Sequence, residues 1–241
     1  MVAKPVQTDS EMSTGDPRHA ARATRTAGRQ MRSRLLDGAS QLFRERGLAG
    51  TSISGIATAA DAFPSQITYY FRTKEALFVE AACRDMLYVA RAAERAALTA
   101  HTPGDYTRAL VESVTATDSV AFFAEALTLT RRRQDLAPLV ERTIDRLHSE
   151  GLRAYAGHIE RHGWSSLRDP GTTSRRFWAV AIGVMVEGYA MGRSPDELCN
   201  EMLRVLGEQA TTKPASDSAR LRLVDQLDAS ESSSPQGETS S

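Results

Sequence analysis

Between Thr51 and Lys74 the sequence places, at close spacing, side chains suited to reading or holding a nucleic acid. Ser65, Gln66 and Thr68 are small or amide groups able to reach base edges; a Gln amide pairs bidentately with adenine, and a Thr methyl touches that of thymine. Tyr69, Tyr70 and Lys74 stand beside them as phosphate donors. Upstream, Thr51 and Ser52 offer hydroxyls and free backbone amides at a helix start, where the helix dipole favours an anion such as phosphate. Further upstream, Arg18, Arg22, Arg25, Arg29, Arg32 and Arg34 follow one another with no acidic residue between them. Such a run can track a phosphate backbone or enter an adjacent minor groove.

These groups need helices to position them, and the apolar period is helical nearly everywhere. Met31, Leu35, Ala39, Leu42 and Phe43 form one stripe that ends at Gly47, a natural helix stop. Thr51 is a candidate cap for a short helix through Ile53, Ile56, Ala57 and Ala60; after a break at Asp61 to Pro64, a second short helix carries Ile67, Tyr70 and Phe71. Two short helices at a tight turn make a helix-turn-helix, whose second helix fits the major groove, about 12 Å wide. Thr73 caps a long helix reaching about Ala100, since that span holds neither Gly nor Pro. Thr102-Pro103-Gly104-Asp105 and the capping box Ser194-Pro195-Asp196-Glu197 announce later helices. About nine helices and no strand are expected, an all-α fold.

Composition narrows the class. In 241 residues, 41% hydrophobic and 25% charged, there is material for a packed core, so wholesale disorder is excluded. Thirty basic and thirty acidic residues cancel, so only the uneven placement of charge informs. The longest apolar run, Ala179 to Val186, is far short of the roughly 20 residues a membrane span needs. No membrane partner is expected. Cys83 and Cys199 lack CxxC spacing, and no secretory leader is evident, so a cytoplasmic location is expected. His158 and His162 have a spacing that metals accept, but HIERH is not HExxH and no carboxylate cluster accompanies it. With no phosphate-cradling glycine loop either, no enzyme, metal or cofactor is expected.

The segment from Gly47 to Leu77 resembles the DNA-binding domain of the TetR family of transcriptional repressors. Thr51, Ser52, Ile53, Ile56, Ala57, Ala60, Phe71, Thr73, Lys74 and Leu77 keep the family spacing without an insertion. The chain departs from the pattern at Asp61, where the family has its turn glycine, at Phe63 in place of the serine cap, and at Ser65, Ile67, Thr68 and Tyr70. Residues 1–28, polar and without sustained periodicity, read as a flexible basic arm and 212–241, rich in serine, as a disordered tail; the resemblance implies a helix-turn-helix domain over 29–78 and a helical ligand-binding and dimerisation domain over 79–211. The DNA-contacting set is then Arg29, Thr51, Ser52, Ser65, Gln66, Thr68, Tyr69, Tyr70 and Lys74.

For the second domain the resemblance implies a pocket for a small hydrophobic or aromatic effector. Phe122, Phe123, Leu127, Tyr155, Trp178 and Met185 supply suitable surface, and Glu187, after the run AVAIGVMV, is placed to orient a polar or cationic ligand. The last two helices are expected to build a homodimer through Gly188, Leu198, Met202, Val205 and Leu206, its two-fold axis matching a palindromic operator on double-stranded DNA. The expected function is a DNA-binding transcriptional regulator, a repressor relieved by a small molecule. The alternative is a helical dimeric adaptor or ligand-binding protein without specific DNA binding.

Overall fold

The computed structural model of the chain describes residues 17–207 and 210–212. Nine α-helices lie among them: α1 (Pro17–Gly50), α2 (Ile53–Ala59), α3 (Pro64–Phe71), α4 (Lys74–Ala96), α5 (Pro103–Thr115), α6 (Ser119–Thr130), α7 (Ala137–His162), α8 (Pro170–Ala190) and α9 (Pro195–Leu206). The chain divides into two compact units, Met1–Ala82 and Cys83–Ser241. Among the described residues no helix is long and apolar enough to cross a membrane.

In the first unit, Leu35, Leu36, Ala39, Leu42 and Phe43 of α1 are buried, with Ile56 and Ala57 of α2, Ile67 and Phe71 of α3 and Leu77 and Phe78 of α4. Phe43 and Phe78 meet edge to face, ring centroids 5.0 Å apart. The expected stop at Gly47 is a left-handed residue inside α1, φ +67°, a conformation that glycine adopts without a Cβ clash. Asp61, in place of the turn glycine, also takes a positive φ, +47°, which aspartate tolerates better than most residues.

The helix start differs from expectation. Residues 17–28, assigned to a flexible arm, are helical. Pro17 stands at the first position, where its missing N–H costs nothing, and Ala and Arg are among the strongest helix formers, which outweighs Gly28. The first sixteen residues of that arm, and residues 213–241 of the expected tail, lie outside the described residues.

In the second unit the capping chemistry sets the helix starts. Thr102 Oγ1 accepts from the Asp105 N–H at 3.1 Å, opening α5. In α9 the Glu197 carboxylate accepts from the Ser194 N–H at 2.8 Å, completing the capping box. These bonds hold the exposed Glu197 carboxyl below its ordinary pKa. The start of α8 lies at Pro170, where Asp169 accepts from the Gly171 and Thr172 N–H groups at 3.0 and 2.7 Å. The two strands were not expected. After Gly163 ends α7 in a left-handed conformation, β1 (Trp164–Ser166) pairs antiparallel with β2 (Ala210–Thr212). Three residues per strand are too few for an alternation to show, and the partners are far apart in sequence.

Candidate nucleic-acid surface and ligand cavity

The short helix α3 divides cleanly into faces. Ile67 and Phe71 point into the core, whereas Ser65, Thr68 and Tyr69 are exposed, Tyr69 by 81%. Positions 65, 68 and 69 follow the i, i+3, i+4 rule of a single helical face. Arg72, one step beyond the helix, is exposed as well, and sequence reasoning missed it. Its backbone is left-handed, φ +67°, a strained position for a residue with a Cβ, and its side chain is exposed. Phe63, 75% exposed ahead of α3, is a second apolar group on this surface that was not among the expected contacts. Tyr70 is half-buried: its ring meets Tyr69 edge to face at 4.9 Å, and its hydroxyl lies beside Gly28 of α1.

Gln66 is partly committed elsewhere. Its Oε1 accepts from the Phe63 N–H at 2.9 Å, one half of a capping box whose other half phenylalanine has no side-chain group to make. Bidentate pairing with adenine uses that same oxygen through its second lone pair, so the cap fixes the amide's orientation for any such contact.

The start of α2 rearranges two further expectations. Ser52, not Thr51, is the N-cap, its Oγ accepting from the Gly55 N–H at 3.0 Å, and it is exposed. Thr51 is 3% exposed and its hydroxyl donates to the Leu42 and Gly47 carbonyls at 3.1 and 2.8 Å. Lys74 turns inward as well: Nζ donates to the Leu48 and Thr51 carbonyls at 2.8 and 2.9 Å. The structure therefore places Thr51 and Lys74 as a clamp on the loop before α2, off the outer face. Lys74→Met removes both bonds of a half-buried ammonium; a loss of about 2 kcal/mol in a denaturant melt is expected. An unchanged midpoint would show that the clamp contributes nothing.

The basic run is also divided. Arg32 pairs with Glu80 and lies over the Phe71 ring, 5.0 Å from its centroid, and Arg34 pairs with Asp61 at 3.7 Å. Arg29 is exposed. The side chains of Arg18, Arg22 and Arg25 lie outside the described residues.

The second unit holds a cavity of about 50 Å³ lined by residues of α4, α5, α7 and α8, with Leu206 of α9. Tyr155 and Trp178 line it, as expected from sequence. Phe122, Phe123 and Met185 are buried and Leu127 is half-buried, but none lines this cavity; their periodicity marked core, which pocket walls share. Glu187 is exposed, 3.9 Å from Arg193, and contributes no wall either. The acid that does is Glu94 of α4, which sequence reasoning passed over inside an alanine-rich helix. Burial, with the nearby Glu150 charge, raises the Glu94 pKa. Burial, then Glu94, pushes the Tyr106 hydroxyl above the ordinary tyrosine range.

Of the expected dimer residues, Leu198, Met202 and Leu206 are buried within their own chain. Gly188 shows why: a Cβ there would stand 2.0 Å from Leu198 Cδ2, so α8 and α9 approach through the missing side chain. Only Val205 of the five is an exposed side chain, 43%. The outward row of α8 consists instead of Ala179, Gly183, Val186 and Ala190, with exposed Tyr189 alongside. His158 is buried, with Nδ1 3.0 Å from the Ala154 carbonyl and Nε2 3.2 Å from that of Ala97, so both ring nitrogens face backbone oxygens. His162 stacks on Trp164 at 5.1 Å. The described residues contain no group of three or more His, Cys, Asp or Glu able to hold a metal.

Comparison with known proteins places these features in a family context. Residues 35–81 match the family described as bacterial regulatory proteins, tetR family. Residues 103–207 match the one described as bacterial transcriptional repressor C-terminal. A transcriptional regulator from Rhodococcus sp. RHA1 is 38% identical, with TM-score 0.66, and the match covers 73% of this chain and 93% of that one. A TetR-family regulator from Mesorhizobium loti MAFF303099 is 18% identical, with TM-score 0.60 and coverage of 74% and 94%. A regulator from Saccharomonospora viridis, solved in complex with choline, is 18% identical, with TM-score 0.59 and coverage of 76% and 98%. At such identities the last two speak for the fold alone. No curated protein matches the chain.

Proposed function

Because this chain belongs to the TetR family of bacterial transcriptional regulators, we propose that it is a cytoplasmic, homodimeric repressor that reads a palindromic operator with the outer face of α3 and releases it on binding a small molecule. The observation that carries this reading is the two-faced helix itself: Ile67 and Phe71 anchor α3 while Ser65, Thr68 and Tyr69 stand outward in one row, with exposed Arg72 just beyond the helix end. Thr68 and Ser65 reach base edges, and Tyr69, Tyr70, Arg72 and Arg29 donate to phosphate. Ser52, with the amides it flanks at the start of α2, is a further phosphate contact.

The effector site is the cavity of the second unit. Its 50 Å³ admits a few waters, whereas drug-sized ligands occupy roughly 300–1,000 Å³. A ligand must therefore part the surrounding helices, and a ligand that fits only the parted form shifts the population toward it. One of those helices is α4, which supplies Ala90, Ala93 and Glu94 to the cavity and Lys74 to the loop clamp. The dimer forms through the outward row of α8 with Val205 of α9.

Selection of binding sites from a random duplex pool, followed by a salt titration of the winner, tests the function. An enriched palindrome is expected, with log affinity falling against log salt by about 0.9 per phosphate neutralised. No enrichment, with a folded dimer verified by sedimentation, would favour the adaptor reading.

A further inference from the structure

The chemistry of the cavity wall narrows the class of effector, on the premise that the cavity is the effector site. Glu94 is the one charged residue lining it among the described residues. It is half-buried and makes neither a hydrogen bond nor an ion pair with a described residue; Arg91 and Arg153 act on it only as more distant charges. The rest of the wall is apolar, hydroxyl-bearing or aromatic, with Tyr106 and Tyr155 tilted toward each other at 5.8 Å and Phe177 edge-on to Trp178 at 5.0 Å.

We propose that the effector is an organic cation with an apolar body, its charge held by the Glu94 carboxylate and its body by the rings of Tyr106, Tyr155 and Trp178. A neutral apolar ligand would expel water from around the carboxylate and leave it with no partner, which carries a large desolvation cost. An anion on the cavity wall would meet the Glu94 carboxylate, which no ion pair with a described residue neutralises. A cation meets both needs, because it neutralises the carboxylate and is attracted to the faces of aromatic rings, most strongly where water is excluded. The raised pKa of Glu94 adds a sign: a bound cation favours the ionised carboxyl, so affinity falls as pH is lowered through the pKa of the empty site.

Three probes of one shape and different charge test this on the full-length chain: phenethylamine, 2-phenylethanol and 3-phenylpropanoate. Binding is followed at pH 7.5 by calorimetry and by tryptophan fluorescence, to which Trp178 on the cavity wall and Trp164, 6.0 Å from Tyr106, both contribute. The amine is expected to bind about tenfold tighter than the alcohol, and Glu94→Gln, nearly isosteric, to reduce that preference to about twofold or less. Alcohol or carboxylate binding as tight as the amine, or a preference that survives Glu94→Gln, overturns the cation assignment. If that binding is lost in Ala154→Phe, which plugs the cavity, the effector site itself still stands. Binding of none of the three overturns both the cation assignment and the cavity as effector site.

Discussion

Replacing Val186 with Glu is expected to convert the dimer to a monomer and to weaken operator binding by about 100-fold or more. Val186 is 49% exposed in the outward row of α8, between Gly183 and Ala190, so the substitution is readily accommodated in an isolated chain. At a two-fold interface each substitution appears twice, and two carboxylates would be brought together without partners. The operator loss follows from linkage: joining two heads makes the second half-site contact intramolecular, an avidity gain on the order of 10² to 10⁴. Sedimentation velocity and fluorescence anisotropy on the selected operator measure the two effects. A variant that stays dimeric at micromolar concentration would move the interface off this face of α8.

The second large effect is expected at Tyr69. Its ring is 81% exposed and, among the described residues, meets the Tyr70 ring alone of the aromatic groups, so Tyr69→Ala removes little that the fold uses. If the ring packs against the duplex and its hydroxyl meets a phosphate, the loss is about 1–3 kcal/mol, roughly 5- to 150-fold in affinity. The thermal midpoint should stay within about a degree, because exposed substitutions away from caps and cores are near neutral. Equal operator affinity for variant and parent would remove Tyr69 from the interface. Thr68→Ala provides a useful contrast, because a base-edge contact changes which sequence is preferred, whereas a phosphate contact weakens all sequences alike.

Much of this is legible in the sequence alone. The apolar stripe from Leu35 to Phe43, the capping residues Thr73, Thr102 and Ser194, the stop at Gly47 and the tolerance of Asp61 in the turn are local effects. Each depends on residues three or four apart, so spacing in the chain records it directly. The outer positions Ser65, Thr68 and Tyr69 follow from the same period, once Ile67 and Phe71 are recognised as the inner face.

What the sequence determined by itself was the all-α class and the helix-turn-helix, because helical period and cap chemistry are written in short-range order, while the family followed from the resemblance carried by Gly47 to Leu77. Tertiary structure alone decided which polar groups were spent. Thr51 and Lys74 look like phosphate ligands until the loop before α2 closes on them, and Arg32 looks like part of a free basic run until Glu80 meets it from α4. The same holds for the cavity, where Phe123 and Met185 carry the same apolar signature as Trp178 but only Trp178 faces the empty space. Glu94 and Glu187 likewise differ through their neighbours, one on the cavity wall beside aromatic rings and the other in solvent. Hydrogen-bond partners and packing neighbours tens of residues apart leave no period to read, and they decide whether a side chain holds the fold or meets a ligand.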